Sequence, residues 1–189
     1  MPLSPPESRR EIHLRTIEMR AFARDDGLFD IEARLIDRKP FDFLRPSSPI
    51  PIPAGQSLHD LWIRMTLDNA YTVRAIGASS DVTPWSLCRE AEATLQVLVG
   101  EQVARGWSSK VKERLRGAAG CTHLMEMLVT MGTAAFQGIR GADPVRRLSM
   151  GGKLDSCYAY GRQRAVVQLL WPEHHQPSDP SPPSTKSAS

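Results

Sequence analysis

Residues 29–35 read FDIEARL, and in them Phe29, Ile31, Ala33 and Leu35 alternate with Asp30, Glu32 and Arg34. Apolar residues at every second position give an extended chain one dry and one wet face, so the stretch predicts a β-strand lying on a core. Toward the N-terminus, HLRTIEMRAF (13–22) alternates less cleanly but is apolar enough to pair with it. Asp25-Asp26-Gly27 between the two is a hairpin turn signal. Toward the C-terminus, Leu61, Ile63, Met65 and Leu67 alternate with Trp62, Arg64, Thr66 and Asp68; Asp68-Asn69-Ala70 supplies a turn and YTVRAIGA (71–78) returns. Two hairpins, over 12–37 and 60–78, therefore predict four antiparallel strands. Five prolines fall within 40–53, which makes the segment between the hairpins an extended connection that cannot enter a central strand.

After residue 80 the period changes. Leu87, Ala91, Leu95, Leu98 and Val99 share one face of a helix, with Pro84 near its start and Gly100 at its end. Ser108 caps a short helix that carries Val111 and Leu115 and closes at Gly117. A third helix, from about Thr122 to Gln137, turns Leu124, Met127, Leu128, Met131 and Ala135 inward. Strands first and helices afterwards predict an α+β fold: two antiparallel β-hairpins forming a four-stranded sheet, followed by three helices packed on one face. Within 145–172, LDSCYAY and RAVVQLLW read either as a strand and an apolar run or as a loop docking back. The expected organisation is a flexible stretch over 1–11, a single domain over 12–172 and a disordered Pro/Ser-rich tail over 173–189.

The 189 residues carry 24 Lys plus Arg against 21 Asp plus Glu, a net charge of +3, too small a bias to imply nucleic acid. KVKERLRG (110–117) and Arg146-Arg147 lie amid acids and read as solvated faces. No secretory h-region, membrane-length apolar run, P-loop, dinucleotide fingerprint, paired CxxC or HExxH occurs. The expectation is a cytoplasmic protein with no membrane and no nucleic-acid partner, whose thiols stay reduced. Three cysteines, an odd count, are no disulfide framework.

Those cysteines are the first candidates for chemistry. Cys88 lies in the first turns of the first helix and Cys121 opens the third, in GCTHL, where exposed N–H groups and the helix dipole favour a thiolate. On a regular helix the side chains of Cys121 and His123 diverge, so they converge only if Cys121 sits in the turn before the helix. His59-Asp60 opens the third strand, where neighbours face opposite ways and only one can join a given site. Asp60 is taken as that residue, on the face of Trp62 and Arg64. The metal ligands expected are Cys88, Cys121, His123 and Asp60, and the catalytic residues Cys121, His123 and Asp60. His13 and Arg15 share a strand face and read either as rungs of a charged ladder against Asp30, Glu32 and Arg34 or as an anion site. Cys157 and His174-His175 read as structural or solvated.

The run HLR, RDDGLFDIEARLID, HDLWIRMTLD, PWSLC, LVG, GW, GCTHLMEML and LDSC resembles the bacterial family known as domain of unknown function 2889, over most of residues 12–172. The resemblance carries no settled activity. Where members of that family often read LDxCHA, Tyr158 follows Cys157 here, so a histidine-based role at that point does not carry over. The order of hairpin, Cys near a helix start and helix opened by Cys also resembles U-type iron–sulfur cluster scaffold proteins. That likeness implies that Asp60, Cys88 and Cys121 meet at one end of the sheet to bind zinc or build a cluster.

Three functions follow as expectations. The first is a small-molecule enzyme, a hydrolase or lyase with a Cys/His site that binds zinc or iron. The second is a metal or cluster carrier. The third is a non-catalytic ligand-binding or regulatory module with its cysteines in the core.

Overall fold

The computed structural model describes residues 4–46 and 48–177. The chain divides into two compact units, Met1–Ala142 and Asp143–Ser189. The first unit carries six strands: β1 (Leu14–Ala23), β2 (Phe29–Arg38), β3 (Phe43–Arg45), β4 (Ser48–Ile52), β5 (Ser57–Leu67) and β6 (Val73–Val82). Four of them form an antiparallel sheet in the order β1-β2-β5-β6, so the two hairpins meet along β2 and β5 and leave β1 and β6 at the edges. Gly27, at a positive φ of 82°, closes the first turn. Asp68 closes the second by accepting the Ala70 and Thr72 N–H groups on its side chain. The proline-rich connection pairs only with itself, as a β3–β4 ribbon apart from the main sheet, as a segment poor in backbone donors should.

Register sets out the core row by row. Ile31 lies between Ala21 and Met65, Ala33 between Met19 and Ile63, and Leu35 between Ile17 and Leu61. Helices cover this face. A 3₁₀ helix (Ser86–Leu98) packs on β6, α1 (Trp107–Leu115) packs on the next helix, and α2 (Thr122–Ala142) lies over β1, β2 and β5. Leu124, Met127, Leu128, Met131 and Ala135 of α2 are buried as the sequence predicts. Each of the buried Leu and Met side chains among these contributes about 1.5–3 kcal/mol of burial. The Trp107 indole N–H donates to the Leu128 carbonyl at 2.7 Å. Gly132 makes room for that ring, since a Cβ there would stand 2.5 Å from Trp107 Cδ1.

Details differ from the sequence expectations. The first helix is 3₁₀: Leu95 and Leu98, three residues apart, are buried, whereas Leu87 and Val99 are exposed. α1 begins after Gly106, at φ 90°, rather than from a Ser108 cap. In the second unit, Ala165–Leu170 is a helix, α4, preceded by the short α3 (Pro144–Leu148). A half-buried strand would turn Val167 and Leu169 the same way, yet Val167 is buried and Leu169 exposed. The expected tail lies, from residue 178 onward, outside the described residues. Among the described residues no helix is long and apolar enough to cross a membrane.

Candidate functional site

One further row follows Ile17, Leu35 and Leu61 toward the end of the sheet, and it is polar. Asp37 pairs in register with Arg15 on one side and His59 on the other. Strand alternation turns all three side chains to the helix-covered face, so a carboxylate stands where the core pattern would place an aliphatic residue. Asp37 is only 2% exposed. Burial of an unpaired carboxylate is costly, and the cost is offset by its neighbours. The Arg15 guanidinium grips it with two parallel bonds, Nε to Oδ1 and Nη2 to Oδ2, each 2.8 Å. His13 Nε2 lies 3.1 Å from Oδ1 and His59 Nδ1 3.0 Å from Oδ2. Arg15 also reaches α2, donating to Glu126 at 2.6 Å.

The helix supplies the remaining groups. Cys121 precedes the first residue of α2, and its carbonyl accepts the Met125 N–H at 2.9 Å. From there its Sγ comes within 3.8 Å of His123 Nδ1, the convergence that a position in the turn before the helix allows. The other ring nitrogen, His123 Nε2, lies 3.8 Å from Asp37 Oδ2, and the His59 and His123 rings are tilted against each other with centroids 4.1 Å apart. Asp37, His59 and His123 each bring one ligand atom to within 4.8 Å of the other two. A metal with bonds of about 2.0–2.2 Å to nitrogen and oxygen holds neighbouring ligand atoms about 3.0–3.5 Å apart, so small side-chain shifts suffice to close the group on an ion.

Electrostatics follows the packing. Burial drives the Asp37 carboxyl upward, but the Arg15 bonds and charge outweigh it and hold it below the usual carboxylate range. Burial pushes the His59 imidazole down and prevails over the upward pull of Asp37, so this ring favours the neutral form, which can ligate. Burial raises the Cys121 thiol, yet the bond to His123 and the backbone N–H groups of Leu124 and His123 bring it below its ordinary value overall.

The structure gathers only part of the expected ligand set. Asp60 points to the opposite, open face of the sheet, where Arg34 holds it through Nε at 2.8 Å and Nη2 at 2.6 Å; its neighbour His59 is the residue that faces the helices. Cys88 lies in the 3₁₀ helix on β6, the edge strand opposite β1, and belongs to no group of three or more clustered His, Cys, Asp or Glu side chains among the described residues. His13 and Arg15 form no ladder with Asp30, Glu32 and Arg34; they bond Asp37 on the other face. Of the expected set, Cys121 and His123 are brought together, and Asp37 stands where Asp60 was expected. The signal for Asp37 lay in the alternation itself, because Ile31, Ala33 and Leu35 continue in step to residue 37.

A family model described as a protein of unknown function (DUF2889) matches residues 13–137, a span that opens on His13 and includes every residue of this cluster. No curated protein and no solved structure matches the chain.

Proposed function

We propose that the chain, which belongs to the DUF2889 family of proteins of unknown function, is a small-molecule enzyme of hydrolase or lyase type that holds one zinc or iron ion on Asp37, His59 and His123. The observation that carries this reading is the convergence of a buried carboxylate and two imidazoles on one point. Two histidines and one carboxylate are a donor set for catalytic zinc and for non-haem iron, and three protein ligands leave positions open for water and substrate. An ion bound there polarises a substrate oxygen or lowers the pKa of water.

The surrounding residues suit that use. Arg15 and His13 occupy Asp37 Oδ1, but on Oδ2, which Arg15 also holds, the lone pair that faces His59 is open to an ion when His59 ligates it as well. Cys121 faces His123 Nδ1. A proton held on Nδ1 by the sulfur leaves Nε2, on the Asp37 side, as the free lone pair, as outer partners of ligating histidines commonly do. His13 stands at the edge of the site, on the other carboxylate oxygen.

Metal analysis of the full chain, purified without chelator and reloaded with Zn(II) or with Fe(II), tests the proposal. About one ion per chain is expected, lost in His59→Ala and in His123→Ala and kept in Asp60→Asn and Cys88→Ala. Equal metal in the histidine variants and the parent would overturn it. A second reading is favoured by the line Cys121 Sγ, His123 and Asp37: a metal-free thiolate nucleophile with His123 as its base. Under that reading Cys121→Ser removes turnover of a thioester or activated ester while the protein holds no metal.

A further inference from the structure

Most arginines that face strands in this protein are paired. Arg34, Arg64 and Arg74 lie on Asp60, Glu32 and Asp68. Arg45 and Arg89 are different, since neither has a carboxylate within 4 Å among the described residues. Both line a cleft of about 610 Å³ between the β3–β4 ribbon and the start of the 3₁₀ helix. The acid of this cleft, Asp81, accepts from Ser79 at 2.6 Å instead. Arg89 is anchored by its Nε donating to the Ser80 carbonyl at 3.2 Å, which fixes the plane of its fork. Arg45 Nε is buried and has no hydrogen-bond partner among the described residues. A buried guanidinium N–H left unpaired is costly, and the charge of Arg45 has no acid to balance it among the described residues.

The same cleft carries an aromatic platform. Trp85 is 51% exposed, so its indole face is open to a flat partner. Thr83 fixes the backbone beside it by donating to the Trp85 carbonyl at 2.8 Å. A volume of this size accommodates a small molecule rather than a polypeptide. The cleft lies at the end of the sheet where Val82 pairs with Asp60, and none of Asp37, His59 or His123 lines it.

We propose that the cleft between Arg45, Arg89 and Trp85 is a binding site for a small organic anion with a flat ring, its carboxylate or phosphate held by the two arginines and its ring laid on the indole. Guanidinium forks favour planar or multivalent oxyanions, and an indole face favours a flat partner, so neither an inorganic anion nor a neutral ring satisfies both halves.

Calorimetric titration of the full chain tests this. Benzoate and AMP probe the carboxylate and phosphate forms; inorganic phosphate and adenosine probe each half alone. Benzoate or AMP is expected to bind about tenfold more tightly than either half alone. Arg45→Gln and Arg89→Gln each weaken the complex by about tenfold, and Trp85→Leu by about fivefold. Arg89 is exposed, so Arg89→Gln keeps the test readable if Arg45→Gln lowers the melting temperature. Absence of binding by both compounds up to about 10 mM overturns the site. So does an affinity that none of the three substitutions changes, or phosphate binding as tightly as AMP with no response to Trp85→Leu. Metal loading does not enter any arm, so this result stands apart from that of the ion site.

Discussion

At the scale of single residues, one carboxylate organises the candidate site. Asp37→Asn keeps the shape but removes the charge beneath Arg15, and it is expected to cost about 1–3 kcal/mol, since the pair is only partly screened by solvent. Asp60→Asn, on the open face, is expected to cost less than about 1 kcal/mol. Urea unfolding of the two variants measures the difference, and equal losses would contradict the distinction between the faces. Cys121 offers a second check. Its thiol is held below the ordinary value, so alkylation of Cys121 should reach half its maximal rate at a lower pH than that of a free cysteine peptide. That midpoint should rise in His123→Ala, which removes the side-chain bond to sulfur. The sequence made Cys121 and His123 visible because a cysteine and a histidine at a helix start are few enough to notice. Asp37 was hidden for the opposite reason. It closes a long apolar alternation, and a charge there reads as the end of the strand unless the period is carried one step further. At His59-Asp60 the alternation settles which neighbour faces the helices; the acidic residue drew attention to itself but belongs to the Arg34 pair.

At the scale of elements, strands and helices were legible to different depths. Period-2 runs located β2 and β5, and period 3.6 located α2, because each buries one face against a continuous core. The 3₁₀ character of Ser86–Leu98 and the helix at Ala165–Leu170 were not legible, since the choice between these conformations depends on packing rather than on local composition. Close approach between elements was also invisible. α1 and α2 meet where the Trp107 ring lies against Gly132. Gly132→Ala is therefore expected to destabilise by about 1–3 kcal/mol through overpacking. Gly141→Ala, in the same helix with nothing within 4 Å of its Cβ, is expected to be neutral or to stabilise by up to about 1 kcal/mol. Thermal melts of both variants check the contrast.

At the scale of the whole molecule, every residue of the Asp37 cluster and the whole family match lie within Met1–Ala142. A chain ended after Ala142 is expected to unfold cooperatively and to keep its metal stoichiometry; loss of either would show that the site needs the remainder. Stability should also depend on pH with a definite sign. His59 and Asp37 both have lowered pKa values in the folded chain, so the unfolded chain binds protons first. Their contribution is fully present above the unfolded values and is lost as pH falls through the folded ones. In chelator-treated protein the melting temperature should begin to drop below about pH 6.5, as unfolded-state histidine titrates, and drop again in the carboxylate range near about pH 4. β1 ties these observations to kinetics. It is an edge strand whose core-facing Ile17 and Met19 are only partly buried, and Arg15 clasps it at once to Asp37 on β2 and Glu126 on α2. The first strand is thus latched by the same carboxylate that would bind an ion. Amide hydrogen exchange along Leu14–Ala23 should accelerate in Asp37→Asn while β5 stays protected, so that a change at the site is read out as the lifetime of the sheet's outermost strand.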